Sequence, residues 1–148
     1  MSPTGLAALL AAVAGLGGAV QIAVQGRLGE RVGTLEALAT ASLIGAGVAV
    51  VVLLAARRSV GGLGEAFAAP KWMLLGGVMS ALIILAITVA GPRIGIVATT
   101  ATLIAAQFTL AAAIDRFGWF GVEQIGVSWT RVVGIALLFV GTALTLRR

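Results

Sequence analysis

The chain has 148 residues, of which 60% are apolar and only 10% charged, and its mean hydropathy is +1.14. Such a surface is kept in lipid rather than water, and the apolar runs show no polar stripe at helical spacing, so a soluble globular domain is excluded. With no cysteine and no histidine, disulfides, thiolate and imidazole metal ligands and the usual neutral-pH base are also excluded, and the net charge of +5 comes from Lys and Arg at the edges of apolar runs, which suits headgroup anchoring and not nucleic acid.

The first apolar run extends from Thr4 to Gly26, roughly 23 residues or about 34 Å of helix, enough to cross a bilayer. No Lys or Arg precedes it and it is longer than a signal-peptide core, so it is expected to stay in the mature protein. Gly26 to Gly33 reads as a charged turn, and Thr34 as the N-cap of a second run from Leu35 to Ala56, stopped by Arg57 and Arg58. Ser59 to Pro70 reads as a glycine-rich polar loop, with a short surface turn within it as an option. A third run, Trp72 to Ala90, is expected to end at Gly91-Pro92-Arg93, because proline disfavours helical geometry in the residue before it. A fourth covers Ile94 to Ile114 and stops at Asp115-Arg116. Phe117, Trp119 and Phe120 then form an interfacial aromatic segment, and a fifth run goes from Val127 to Leu146. The expected fold is an all-α membrane protein: one domain, residues 1–148, of five spanning helices, with the termini on opposite sides.

Lipid is as apolar as leucine, so helices associate through close packing and shared hydrogen bonds, and small residues mark the contacts. Gly134 and Gly141, seven residues apart on the fifth run and so nearly aligned, are the candidate helix-packing or dimer residues. The fourth run is small or hydroxylated on nearly every face, through Ala98, Thr99, Thr100, Ala101, Thr102, Ala105, Ala106 and Thr109. It is expected to be central or to line a cavity, even though each threonine can bond back to a carbonyl one turn earlier.

Gln21 and Gln25 stand one turn apart on the first run, and Gln107 lies near the middle of the fourth. An amide unpaired in hydrocarbon is costly, so these side chains must face the bundle interior or a polar ligand. Gln21, Gln25, Gln107 and Thr100 are the candidate substrate-binding residues. Interhelical hydrogen bonding is the structural alternative, worth about 0.6 kcal/mol per bond. No charged residue lies in the middle third of any run, and Glu36 is most simply a favourable charge at a helix N-terminus, with a coupling role as the alternative. A neutral or anionic small molecule is therefore the expected cargo. No nucleophile is paired with a base at membrane depth, so no catalytic residue, cofactor or metal is expected.

The GRLGERVG stretch after the first run, TLEALATASLIG opening the second, the GPRIG turn, LIAAQ on the fourth, IDRFGWFG and the closing LLFVGTALTLRR resemble the YdcZ-like branch of the drug/metabolite transporter superfamily. The resemblance covers essentially the whole chain. It implies a five-helix half-transporter of a bacterial inner membrane, related to one half of the ten-helix EamA-type exporters and more distantly to the four-helix small multidrug resistance proteins. The chain departs from the latter in having no glutamate within its first run, where Gln21 and Gln25 are the polar groups. The expected function is secondary transport by alternating access at the interface of two inverted five-helix units. The alternatives are a non-transporting auxiliary subunit, half of a heterodimer, or a channel.

Orientation in the membrane follows the Lys and Arg of short flanking loops. Arg57, Arg58, Lys71, Arg116 and Arg131 fall on the N-terminal side; Arg27, Arg31, Arg93, Arg147 and Arg148 fall on the other. With five on each side the insertion machinery has no electrostatic ground for choosing, which is the condition for dual topology and an antiparallel homodimer. Reporters fused to the C-terminus are expected to be active on both sides of the membrane; activity on one side alone would mean a fixed orientation.

Overall fold

The computed structural model describes residues 2–147; Arg148, counted above among the C-terminal charges, lies outside them. Among the described residues there is no strand. Six α-helices follow one another: α1 (Pro3–Val32), α2 (Thr34–Arg57), the short α3 (Gly62–Ala68), α4 (Leu75–Ile94), α5 (Ile96–Phe117) and α6 (Trp129–Leu146). A 3-10 turn, Lys71–Leu74, leads into α4 and another, Trp119–Gly121, follows α5. Five segments are long and apolar enough to cross a membrane, namely α1, α2, α4 with its preceding turn, α5 and α6. Among the described residues the buried apolar side chains are Ile22, Ala37, Ile87, Ala98 and Ala105, so the helices carry their apolar surface outward, as lipid requires.

Two helix joints differ from the expectation for one reason; besides these, α5 runs on through Asp115 and Arg116 to Phe117, and residues 59–70, expected as a loop, contain α3. The segment from Gly26 to Val32 is not a turn but the last two turns of α1, and α4 passes through Pro92 to Ile94. Each helix stops instead at a single glycine with positive φ: Gly33 at 104° and Gly95 at 87°. Both positions lie where a Cβ is strained, and a one-residue joint suffices to start the next helix. Gly33, not Thr34, is therefore the residue at the N-cap of α2, and Glu36 becomes the third helical residue, its carboxylate turned back over Gly33. Pro92 is tolerated because it sits in the last turn of α4, where it removes one ladder bond. The two joints also share a sequence, Gly29-Glu30-Arg31-Val32-Gly33 and Gly91-Pro92-Arg93-Ile94-Gly95, which reads as the same helix–glycine–helix device used twice.

The chain divides into two compact units, Ala23–Pro92 and Met1–Ile22 with Arg93–Arg148. In the first unit α1 and α4 cross at close range. A Cβ on Gly26 would stand 3.0 Å from the Pro92 Cδ, and one on Gly29 would collide with the Thr88 methyl. The two glycines thus present bare backbone to two side chains of α4. In the second unit α5 and α6 form a hairpin. Ser128 caps α6 by accepting from the Arg131 N–H at 3.3 Å, and the connecting loop is tied to the end of α5. There the Ile125 N–H donates to the Asp115 carbonyl at 2.8 Å and the Gln124 amide to the Phe117 carbonyl at 3.2 Å, while Phe117 and Trp119 stack at 5.4 Å.

Alanine at Gly33 or Gly95 is expected to lower unfolding free energy by about 1–3 kcal/mol, the cost of a Cβ at positive φ with extended ψ. Gly47→Ala, in open space inside α2, is expected to be neutral or to stabilise by up to about 1 kcal/mol. Equilibrium unfolding in mixed micelles distinguishes the two classes.

Candidate functional site

The α5–α6 hairpin is built on the small face of α5. Ala98 and Ala105 are buried and admit α6 to close range, and one hydroxyl then joins the helices. Thr142 on α6 directs its single proton between the Leu138 carbonyl of its own helix, at 2.8 Å, and the Ala101 carbonyl of α5, at 3.1 Å. The other hydroxyls of α5 satisfy themselves. Thr99, Thr100, Thr102 and Thr109 donate at 2.8 Å to the carbonyls of Gly95, Ile96, Ala98 and Ala105, each four residues earlier. Their protons are spent, and what each offers to a ligand is an acceptor lone pair.

At the loop end of the same hairpin, Arg131 at the start of α6 donates to the Asp115 carboxylate at the end of α5, at 3.0 Å. Both side chains are partly exposed, so the pair contributes little net stability by itself; its effect is to fix the pitch of α6 against α5. The expectation assigned Asp115 and Arg131 to helix ends without pairing them. Opposite charges on the two sides of one short loop were the signal in the sequence.

Three grooves run along this unit. The largest, about 610 Å³, is floored by Gly134 and Gly141 and walled by Thr100, Ile104, Leu137 and Leu138, with Ala19 of α1 at its edge. A second, about 530 Å³, lies beside the Asp115–Arg131 pair and also reaches Gly134. A third, about 470 Å³, is bounded by Thr102, Thr109, Phe139 and Thr142 on the other side of α5. Thr100 is thus gathered with Gly134 and Gly141 into one groove. Neither glycine touches a helix of its own chain at the position where a Cβ would be, since nothing stands within 4 Å of it.

The glutamines fall into two environments. Gln21 and Gln107 are exposed and, among the described residues, make no hydrogen bond within the chain; neither lines the three grooves. Gln25 is 5% exposed, in the other unit, and its Nε2 has no partner. Half of α5 remains open as well: Thr102, Ala106, Gln107 and Thr109 are exposed while Ala98, Thr99 and Ala105 are buried. α5, expected to be central or to line a cavity, is thus buried along one face, and the rest of it borders open grooves. Among the described residues no group of acidic side chains is placed to hold a metal ion.

The family model named DMT_YdcZ, with the description "Putative inner membrane exporter, YdcZ", matches residues 6–144. No curated protein and no solved structure matches the chain. The matched span contains all of the polar residues at membrane depth and both helix–glycine–helix joints. Because Gly134 and Gly141 face open groove, Gly134→Leu and Gly141→Leu are expected to leave the monomer's helicity intact while weakening self-association in detergent. Thr142→Val is expected to cost the hairpin about 0.6 kcal/mol. Circular dichroism with light scattering on the same samples tests both.

Proposed function

Because the chain belongs to the YdcZ family of inner membrane exporters, a family related to the drug/metabolite transporter superfamily, we propose that it is a multi-pass inner membrane transporter that carries a neutral or anionic small molecule by alternating access as an antiparallel homodimer. The observation that carries this reading is the exposure of Gln21 and Gln107 without partners on helices that cross the membrane. An amide facing hydrocarbon is costly, so a polar ligand or a second copy must cover these groups in the assembled protein. A transporter supplies both coverings.

Charge supports the antiparallel arrangement, because the even division of Lys and Arg permits insertion both ways. Measured along the helices, Gln21 lies about 5 Å beyond the midpoint of α1 and Gln107 about 1 Å beyond that of α5, so both amides stand near mid-depth, where a site shared by two copies can reach them. The groove floored by Gly134 and Gly141 offers a bare helix face to the second copy, and Thr100 adds an acceptor beside it. The absence of a charged group among the mid-span candidates favours uncharged cargo, or an anion held by amide donors.

The experiment is saturable flux by the purified protein in vesicles, with substrates first chosen by thermal stabilisation across a metabolite set. Gln21→Leu and Gln107→Leu are each expected to reduce flux at least about tenfold while the dimer persists, since loss of one hydrogen bond to a bound polar group costs about 1.5 kcal/mol or more. Unchanged flux in both variants would remove these residues from the substrate site. A subunit with no transport role shows no saturable flux, and a channel shows current without counterflow.

A further inference from the structure

A buried donor without a partner and a carbonyl without its usual ladder donor stand at one helix crossing. On the donor side, Gln25 is 5% exposed and its Nε2 makes no hydrogen bond, which an amide in a dry interior does not sustain without some compensating state. On the acceptor side, the carbonyl of a helical residue accepts from the N–H four residues on. For Thr88 that residue is Pro92, which has no N–H. The Thr88 hydroxyl does not fill the gap, because it donates backward to the Ile84 carbonyl at 2.6 Å. Thr88 itself is 3% exposed, so its oxygen has little access to water.

The crossing of α1 and α4 brings the two groups to the same place. A Cβ at Gly29 would stand 3.8 Å from the Thr88 carbonyl oxygen, and one at Gly26 would press on the Pro92 ring. Gln25 precedes Gly26 and lies one turn before Gly29, about 40° from it around the helix. Its side chain therefore leaves α1 beside the face that meets Thr88 and Pro92. On that face Gly26 and Gly29 let the Pro92 ring and the Thr88 methyl approach the backbone of α1.

We propose that the Gln25 amide and the Thr88 carbonyl are the two halves of a latch: open in the conformation described here, and closed, with Gln25 Nε2–H donating to the Thr88 oxygen, in a second packing of α1 on α4. The latch rests on the alternating-access reading for its purpose, because a bond made in one packing and absent in the other sets the balance between the two. In that role Gln25 acts on helix position and does not touch the cargo.

Two measurements on the full-length protein in lipid test this. The first needs no substitution: the distance between the Gln25 side-chain ¹⁵N and the Thr88 carbonyl ¹³C, by dipolar recoupling in solid-state NMR. A population at about 4 Å or less is expected, the value for an N–H···O=C bond; a single population beyond about 6 Å overturns the latch. The second is a double-mutant cycle on flux. Gln25→Met removes the donor, and Pro92→Ala returns an N–H to occupy the Thr88 oxygen. Gln25→Met is expected to slow flux about tenfold in the parent and less than about twofold in the Pro92→Ala background. Equal factors in both backgrounds overturn the latch. If the parent itself shows no saturable flux, the transport reading fails, and the distance measurement still decides whether the two groups meet.

Discussion

In hydrocarbon a peptide group finds no solvent to bond, so every backbone N–H and C=O must be satisfied by the chain itself. This constraint shapes each level of the structure. It admits only helices across the membrane, and it shortens the connections at Gly33 and Gly95 to one residue each. It also turns the α5 threonines back onto their own helix, where each hydroxyl proton meets a carbonyl at 2.8 Å. The point where the constraint is visibly strained is Pro92, which deprives one carbonyl of its ladder partner at a buried crossing.

Once backbone bonding is satisfied within each helix, contact between helices depends on how closely the backbones approach. Two solutions appear. Between α1 and α4 the approach is made by Gly26 and Gly29 against Pro92 and Thr88, tight for a methyl group at Gly26 and without room for one at Gly29. Between α5 and α6 it is made by alanines and completed by the shared Thr142 hydroxyl and the Asp115–Arg131 pair. Other glycines, at 15, 45, 76, 134 and 141, meet nothing within their own chain. A membrane helix has no hydrophobic incentive to bury a glycine face, so these open faces are consistent with a protein whose packing is completed by a second copy.

Polar side chains at membrane depth divide in the same way. The threonines are internally satisfied and cost little wherever they face. The three glutamines are not, and each requires something outside its own helix: Gln21 and Gln107 toward the exterior of the chain, Gln25 toward the α1–α4 crossing. Function is read from this inequality, since an unsatisfied amide is tolerated only where another state or another molecule satisfies it. The chain that carries these glutamines belongs to a family of inner membrane exporters.

The sequence alone determined the solvent, the number of spanning segments, the all-helical class and the family, because run length and apolar composition are additive along the chain and need no partner to be evaluated. It also identified the glutamines, which stand out from any apolar background. Helix ends expected at 26 and 90 fall too early: charge and proline are local signals, whereas these two helices continue until the backbone turns at Gly33 and Gly95. The tertiary structure alone decided which small residues meet a neighbour and which stay open, and that Asp115 meets Arg131. It also decided that two glutamines one turn apart on α1 lie in opposite environments. Those distinctions depend on which face of one helix lies against which face of another. That is a property of pairs, and the order of residues in a single chain does not contain it.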